Sequence, residues 1–393
     1  MHIPQLTRSI LDNDLYKFTM QQGAVSQYDG LDVGYELTIR KHRDFPKDFA
    51  KELRRQVALM ANLALTDEEY HWLCTNKSLS FFKRSYIDFL RGFKYNPQEV
   101  TMKQRGKKIR LTVEKGAWYR TKLWEVSLLS LTSDLYFRMT GQKADMDIFR
   151  RNLEAKCRAL VEAGCLFTDF GTRRRYSFDI HDKVVAYFAK HAPKNFMGTS
   201  NLYLAMKHGV RPIGTHAHEW FMAHAAMFGT RSANKMALEA WMKEYGGRLG
   251  HALTDTFTTD AFLETFDYLF ARQFDGVRQD SGDPFAFGEK IIAHYLSLNI
   301  DPTSKTIIFS DNLDAQKAIA LQKAFAGRIK VAFGIGTNFT NDVGVEPLNM
   351  VIKLRYCWIH GRRVEVVKLS DDIGKHHGSK TAVKHAQYEL GIN

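Results

Sequence analysis

Cysteine and proline are both scarce in this chain of 393 residues, with four of the former and eight of the latter. The thiols Cys74, Cys157, Cys165 and Cys357 show no CxxC spacing and no regular framework. That pattern excludes a disulfide scaffold and a cysteine zinc site, and it suits a reduced, cytoplasmic protein. Nowhere do eighteen apolar residues follow one another, so no membrane span is expected. Met1–Ile10 lacks the basic segment and apolar run of a secretory leader. There is no low-complexity stretch, no Pro/Ser linker and no long basic tail, so domain boundaries must come from changes of pattern.

What remains is ordinary globular composition, 45% hydrophobic and 25% charged, long enough for two domains or one large barrel with an added domain. The net charge of +13 attracts polyanions without saying which. Its basic runs, Lys51–Arg55, Lys103–Arg110 and Arg173–Arg175, are short and separate. A nucleic-acid surface would need a Lys/Arg stripe with interleaved aromatics, and none is present. No nucleic-acid partner is expected.

The first hundred residues mix helices with alternating strands. Leu31–Arg40 and Ile109–Glu114 alternate as strands do, and Phe45–Leu63 has helical spacing. A helical tract follows from Thr121 to Ala163, with Trp124, Leu128, Leu131 and Leu135 at three- and four-residue steps. Beyond it, short apolar runs each end in a polar or glycine cluster: residues 169–172, 198–200, 214–216, 254–256, 278–282, 310–312 and 334–337. The spacing predicts strand–loop–helix units whose loops gather at one face, as in a parallel (β/α) barrel; a doubly wound sheet has a similar period. After Pro347 alternating strands return, at Met350–Tyr356 and Arg363–Leu369. The chain is thus read as an α/β protein in which 1–125 and 347–393 form one domain and 126–346 a barrel-like catalytic domain.

Several clusters carry chemistry. Gly198-Thr199-Ser200 and Gly334–Thr337 place backbone N–H groups beside hydroxyls, a cradle for phosphate. Ser310-Asp311-Asn312 stands beside the second in the order of strand ends. His216 and His218 share the stretch GTHAHEW at 214–220. On a strand, i and i+2 histidines face one way, so a metal pair, a structural histidine and a nucleophilic histidine are all open readings. For the nucleophile, Asp255 or Glu219 is the expected carboxylate to fix the ring. Arg278, Asp280 and Asp283 lie on one loop, suited to ribose hydroxyls, Mg²⁺ or an anion. Phe170 beside Arg173–Arg175 suits a flat anionic heteroaromatic, the ring stacked and an arginine on its acid.

These stretches, with LDNDLYKFTM at 11–20, LWEV at 123–126, VRQDSGDP at 277–284, FGIGTNFTND at 333–342 and VKLSDDIGK at 367–375, resemble the nicotinate phosphoribosyltransferase family. The likeness runs in order through most of the chain. It implies a type II phosphoribosyltransferase fold, an irregular α/β barrel with a second α/β domain. It also implies condensation of nicotinate with phosphoribosyl pyrophosphate to nicotinate mononucleotide and pyrophosphate, coupled to ATP through a phosphohistidine.

By the same resemblance His218 carries the phosphoryl group, and Asp255, Arg278 and Asp280 complete the catalytic set, Asp280 touching ribose or Mg²⁺. Tyr16 and Phe170 sandwich the pyridine, with Arg173 and Ser200 also binding substrate. Ser310, Asp311, Gly336 and Thr337 cradle the 5′-phosphate, and Arg40, Lys368 and Lys375 are candidates for pyrophosphate. Mg²⁺ is expected on the substrate phosphates, with no protein-only metal site. The resemblance allows a homodimer with a shared active site, Tyr16 acting in trans.

Overall fold

The computed structural model describes residues 3–392. Two sheets organise them. The first is antiparallel and draws on both ends of the chain. Its strands are β1 (Asp32–Ile39), β2 (Val100–Arg105) and β3 (Lys108–Ala117), and it is completed from the C-terminal end. The second is parallel, built from β4 (Phe167–Asp169), β5 (Phe196–Thr199), β6 (His251–Leu253), β7 (Gly276–Gln279), β8 (Thr306–Phe309) and β9 (Lys330–Ile335). The chain then returns to the first sheet as β10 (Met350–Ile359) and β11 (Arg362–Glu365). Strand orders are β11-β10-β1-β3-β2 and β5-β4-β9-β8-β7-β6. β10 lies along the whole of β1, from Asp32 opposite Trp358 to Ile39 opposite Met350.

Helices cover the parallel sheet because each βα unit must bury an apolar face. The Thr121–Ala163 tract is two principal helices, Trp124–Thr140 and Met146–Glu162. Asp145 separates them by accepting from the N–H groups of Asp147 and Ile148, both at 2.9 Å, which caps the second helix. The first is buried nearly all round, Ser130 and Ser133 included, so it forms the spine between the sheets.

The barrel is irregular. Between β5 and β6 no strand pairing exists, and residues 210–217 fill the gap. Pro212 bridges Thr199 in parallel, and Ile213 N–H donates to Thr199 O at 2.9 Å. On the other side Thr215 Oγ1 donates to His251 O and Leu253 N–H donates to His216 Nε2, both at 3.2 Å. Gly198 makes the approach possible: with φ of +136°, a Cβ there would sit 1.9 Å from Arg211 O.

The expected strand Arg363–Leu369 ends early, at Glu365. From there the chain leaves the antiparallel sheet, and Leu369 N–H donates to Thr256 O at 2.8 Å, beyond β6. The tail therefore crosses over the C-terminal ends of the parallel strands. No helix among the described residues is long and apolar enough to cross a membrane.

Candidate active site

At those strand ends lies a cavity of about 550 Å³. Every polar cluster of the βα units contributes to it or to its walls, because a parallel sheet points all its C-terminal loops the same way. Phe170 and Arg173 follow β4, Ser200 follows β5, and His218 opens the helix His218–Phe228. Arg278 is the penultimate residue of β7 and Asp280 lies just beyond the strand; Ser310 and Asp311 follow β8, and Gly336 and Thr337 follow β9. Tyr16 enters from the helix Leu15–Gln27, Arg40 from the end of β1, and Lys368 and Lys375 from the C-terminal crossing. Tyr16 lines the cavity within the same chain as Phe170 and His218.

His218 is the centre of the polar wall. Lys368 Nζ lies 2.8 Å and Asp280 Oδ2 2.9 Å from its Nε2, and Thr256 Oγ1 lies 3.1 Å from Nδ1. Burial and the ammonium of Lys368 push the imidazole down to about 4, so the ring is neutral at neutral pH. Nε2 thus stands between an ammonium, which only donates, and a carboxylate, which only accepts, while Nδ1 faces the Thr256 hydroxyl, which can do either. Burial opposes ionisation of Asp280, but His218, Arg278 and Lys368 hold its carboxyl well below the usual range.

Asp255 does not orient the ring as expected. Its nearer oxygen is 3.9 Å from Nε2, outside hydrogen-bond reach, and it lies behind the cavity wall. Instead Asp255 Oδ2 accepts from Lys368 at 3.2 Å and from Ser281 Oγ at 2.6 Å. It holds the cation that holds the ring. His218, Asp255 and Asp280 do offer three ligand atoms within 4.8 Å of one another. Lys368 Nζ already lies within 3.2 Å of two of these groups, His218 and Asp255.

Glu219, the other expected orienting carboxylate, points the opposite way. It accepts from Lys17 Nζ at 2.5 Å, Lys122 Nζ at 2.8 Å, and Tyr35 Oη and Trp118 Nε1 at 2.6 Å each. That buried cluster ties the His218 helix to the first sheet. His216 also turns inward: it is fully buried against Trp241 and Phe221, with ring centroids at 4.6 and 5.2 Å. The two histidines share neither a strand nor a face, so the metal-pair reading fails and His216 is structural.

At the aromatic end, the ring of Phe170 packs on the bare backbone of Gly334. A Cβ on Gly334 would stand 2.2 Å from Phe170 Cε2. The three consecutive arginines divide by role. Arg173 faces the cavity with Nη1 3.9 Å from Glu125, and Arg174 donates Nε–H to Met350 O at 2.8 Å. Arg175 is buried and clasps Asp12 in two hydrogen bonds of 2.7 and 2.6 Å, so it is not free for a ligand.

The opposite end is rich in charge. Lys375 Nζ lies 2.8 Å from both oxygens of Asp311, and Ser310 Oγ donates to Asp280 Oδ1 at 3.1 Å. Ser200 Oγ donates to Asp14 Oδ1 at 2.7 Å, and Asp14 also lines the cavity. Lys353, on β10, is a lining residue that no sequence motif marked. Burial, Lys368 and Arg40 push its ammonium down to about 7. It sits in an alternating strand flanked by Ile352 and Leu354, where a single lysine carries no signal of its own.

Comparison with known proteins agrees with this arrangement. Residues 165–392 match the model of the nicotinate phosphoribosyltransferase family, and residues 11–133 match that of its N-terminal domain. A nicotinate phosphoribosyltransferase of Chromohalobacter salexigens is 47% identical over 387 residues, covering 98% of each chain. One from Desulforapulum autotrophicum is 47% identical over 384 residues, covering 97% of this chain and 98% of its own. The crystal structure of the Porphyromonas gingivalis nicotinate phosphoribosyltransferase superposes with a TM-score of 0.95 at 41% identity, covering 98% of this chain and 100% of that one. With most of its length matched and the polar strand ends converging on one cavity, the chain belongs to the nicotinate phosphoribosyltransferase family.

Proposed function

We propose that this protein condenses nicotinate with phosphoribosyl pyrophosphate to give nicotinate mononucleotide and pyrophosphate, with ATP hydrolysis coupled through a phosphohistidine at His218. The reaction is the entry of nicotinate into NAD synthesis, placed in the cytoplasm. The observation that carries the reading is a single cavity that joins Tyr16, Phe170 and Arg173 to a neutral histidine and a ring of phosphate-binding groups.

In this reading the pyridine stacks between Tyr16 and Phe170 with its carboxylate toward Arg173. Nicotinamide offers that guanidinium no charge to pair with, and so forgoes the attraction that nicotinate gains. The ring nitrogen attacks the anomeric carbon, the bond to the pyrophosphate oxygen breaks, and the electron pair leaves with pyrophosphate. Arg40, Lys353, Lys368 and Lys375 supply cations for the leaving group, and Asp280 supplies negative charge for the oxocarbenium character on the sugar. Ser310, Asp311, Gly336 and Thr337, on neighbouring strand ends, suit the 5′-phosphate. With Lys368 beside the His218, Asp255 and Asp280 oxygens, Mg²⁺ fits best as a passenger on the substrate phosphates.

For the coupling step, the unprotonated ring nitrogen of His218 attacks the γ-phosphorus of ATP, the bond to the β-bridging oxygen breaks, and ADP departs with the electron pair. A ring already neutral needs no proton removed first. The test is product formation from nicotinate and phosphoribosyl pyrophosphate with Mg²⁺, with and without ATP, on one chromatogram. Nicotinate mononucleotide that rises with ATP as ADP accumulates supports the proposal. Product from nicotinamide alone, or no product, overturns it.

A further inference from the structure

Lys368 owes its place beside His218 to a strap of chain, residues 366–377, that crosses the ends of β6 and β7. The strap is pinned at its base, where Lys368 and His377 exchange backbone hydrogen bonds at 3.0 and 2.8 Å. It is pinned again at its turn by one side chain. Asp371 Oδ1 accepts from Thr259 N–H at 2.7 Å, and Oδ2 accepts from Thr259 Oγ1 at 2.6 Å. The backbone N–H of Asp371 donates to Ser281 Oγ at 3.1 Å, and that hydroxyl donates onward to Asp255 Oδ2. Asp255 in turn accepts from Lys368. A continuous chain of hydrogen bonds therefore runs from Asp371 through Ser281 and Asp255 to Lys368 and His218.

The strap is also bent sharply at the pin. Ser370 sits at φ of +68°, a left-handed conformation that a serine adopts only when neighbours enforce it. Gly282, at φ of +74°, lies close under the turn, and a Cβ there would be 3.2 Å from Asp371 Cβ. Asp371 itself is absent from the cavity lining.

We propose that Asp371 is a positioning residue for the coupling step, clamping the strap so that Lys368 reaches His218 Nε2 and Asp255 together. The inference rests on the proposed role of His218, but its physical content is testable without turnover. The ionisable groups facing His218 are Lys368, Asp255 and Asp280, with Arg278 beside Asp280. Deleting a carboxylate charge as such would lower the titration point of a nearby histidine. Releasing Lys368 does the reverse, because it removes a cation and uncovers Asp255. The two explanations differ in sign.

The experiment follows the His218 ring by NMR titration in the full chain, for the native protein and for Asp371→Ala, Thr259→Val, Lys368→Met and the Asp371→Ala/Lys368→Met pair. Asp371→Ala is expected to raise the titration point, Lys368→Met to raise it likewise, and the pair to rise no further than Lys368→Met alone. Thr259→Val removes one contact to Asp371 without changing charge, and a smaller rise is expected; it also serves if Asp371→Ala does not fold. In parallel, labelled phosphate from ATP on the protein is expected to fall by about tenfold or more in Asp371→Ala, as displacement of an aligned group does. A lowered or unmoved titration point in both variants, or an additive pair, overturns the proposal. If the native chain takes no phosphate from ATP, the proposed function fails while the titrations still decide the clamp.

Discussion

Lys368 Nζ stands 2.8 Å from Nε2 of His218, so an ammonium faces a ring that burial and this charge together keep neutral. His224 and His377 are likewise pushed down to about 4, chiefly by burial, and His216 and His251 are lowered too. The unfolded chain takes up these protons near 6.5. Stability from the neutral rings is therefore complete above that point and is lost as pH falls toward 4. The slope reaches about 1.4 kcal/mol per pH unit for each such histidine. Urea unfolding at pH 7.5, 6 and 5 should give midpoints that fall steadily; a flat profile would contradict the assignment.

His218→Ala is expected to remove the labelled phosphoprotein and the ATP stimulation while leaving condensation without ATP within about tenfold of the native rate, since the ribose and leaving-group contacts remain. Full ATP stimulation in this variant would refute the coupling role.

Gly334→Ala forces a methyl group to 2.2 Å from the Phe170 ring. The ring must move, and overpacking of this kind costs about 1–3 kcal/mol. Steady-state kinetics should give a nicotinate KM raised by about tenfold or more, with the KM for phosphoribosyl pyrophosphate much less affected. An equal rise in both would mean that the whole cavity had shifted.

The arginine run separates binding from stability. Arg173→Ala should leave the melting temperature near native and narrow the preference for nicotinate over nicotinamide. Arg175→Ala strands Asp12 as a buried, uncompensated charge, a loss of about 3–5 kcal/mol. Thermal melts and paired substrate assays on the two variants should therefore give opposite patterns.

Glu219→Ala should behave like Arg175→Ala. It would strand the wholly buried Lys122, leave Lys17 with Glu125 as its one remaining carboxylate partner, and loosen the His218 helix from the first sheet. A melting temperature within a degree or two of native would show that the cluster holds nothing.

Much of the site was readable in advance because the βα period puts polar residues at strand ends, and strand ends of a parallel sheet share one face. Phe170, Ser310, Asp311 and Gly336 all follow from that rule. Orientation did not. The adjacency of His218 and Glu219 says that they are neighbours in the chain, yet the start of a helix there turns them to opposite sides. Arg173, Arg174 and Arg175 are one run in the sequence, but the 3-10 turn Thr172–Arg174 splits them between cavity and core. Spacing of 3.6 or 2 residues tells which residues share a face of a regular element, and both of these places are element boundaries. Closure of the barrel was also out of reach, since residues 210–217 join β5 to β6 by isolated contacts that leave no periodic trace.

The placement of β10 has a consequence for how the cavity is completed. The partner of β1 and three of the cavity's lysines, Lys353, Lys368 and Lys375, all follow the parallel sheet in the chain. Without that stretch, Asp255, Asp280 and Asp311 gather at the strand ends with few of their counter-charges, and β1 has one open edge. A chain still short of β10 thus presents a nearly complete barrel in which the leaving-group end of the cavity has Arg40 but none of these three lysines.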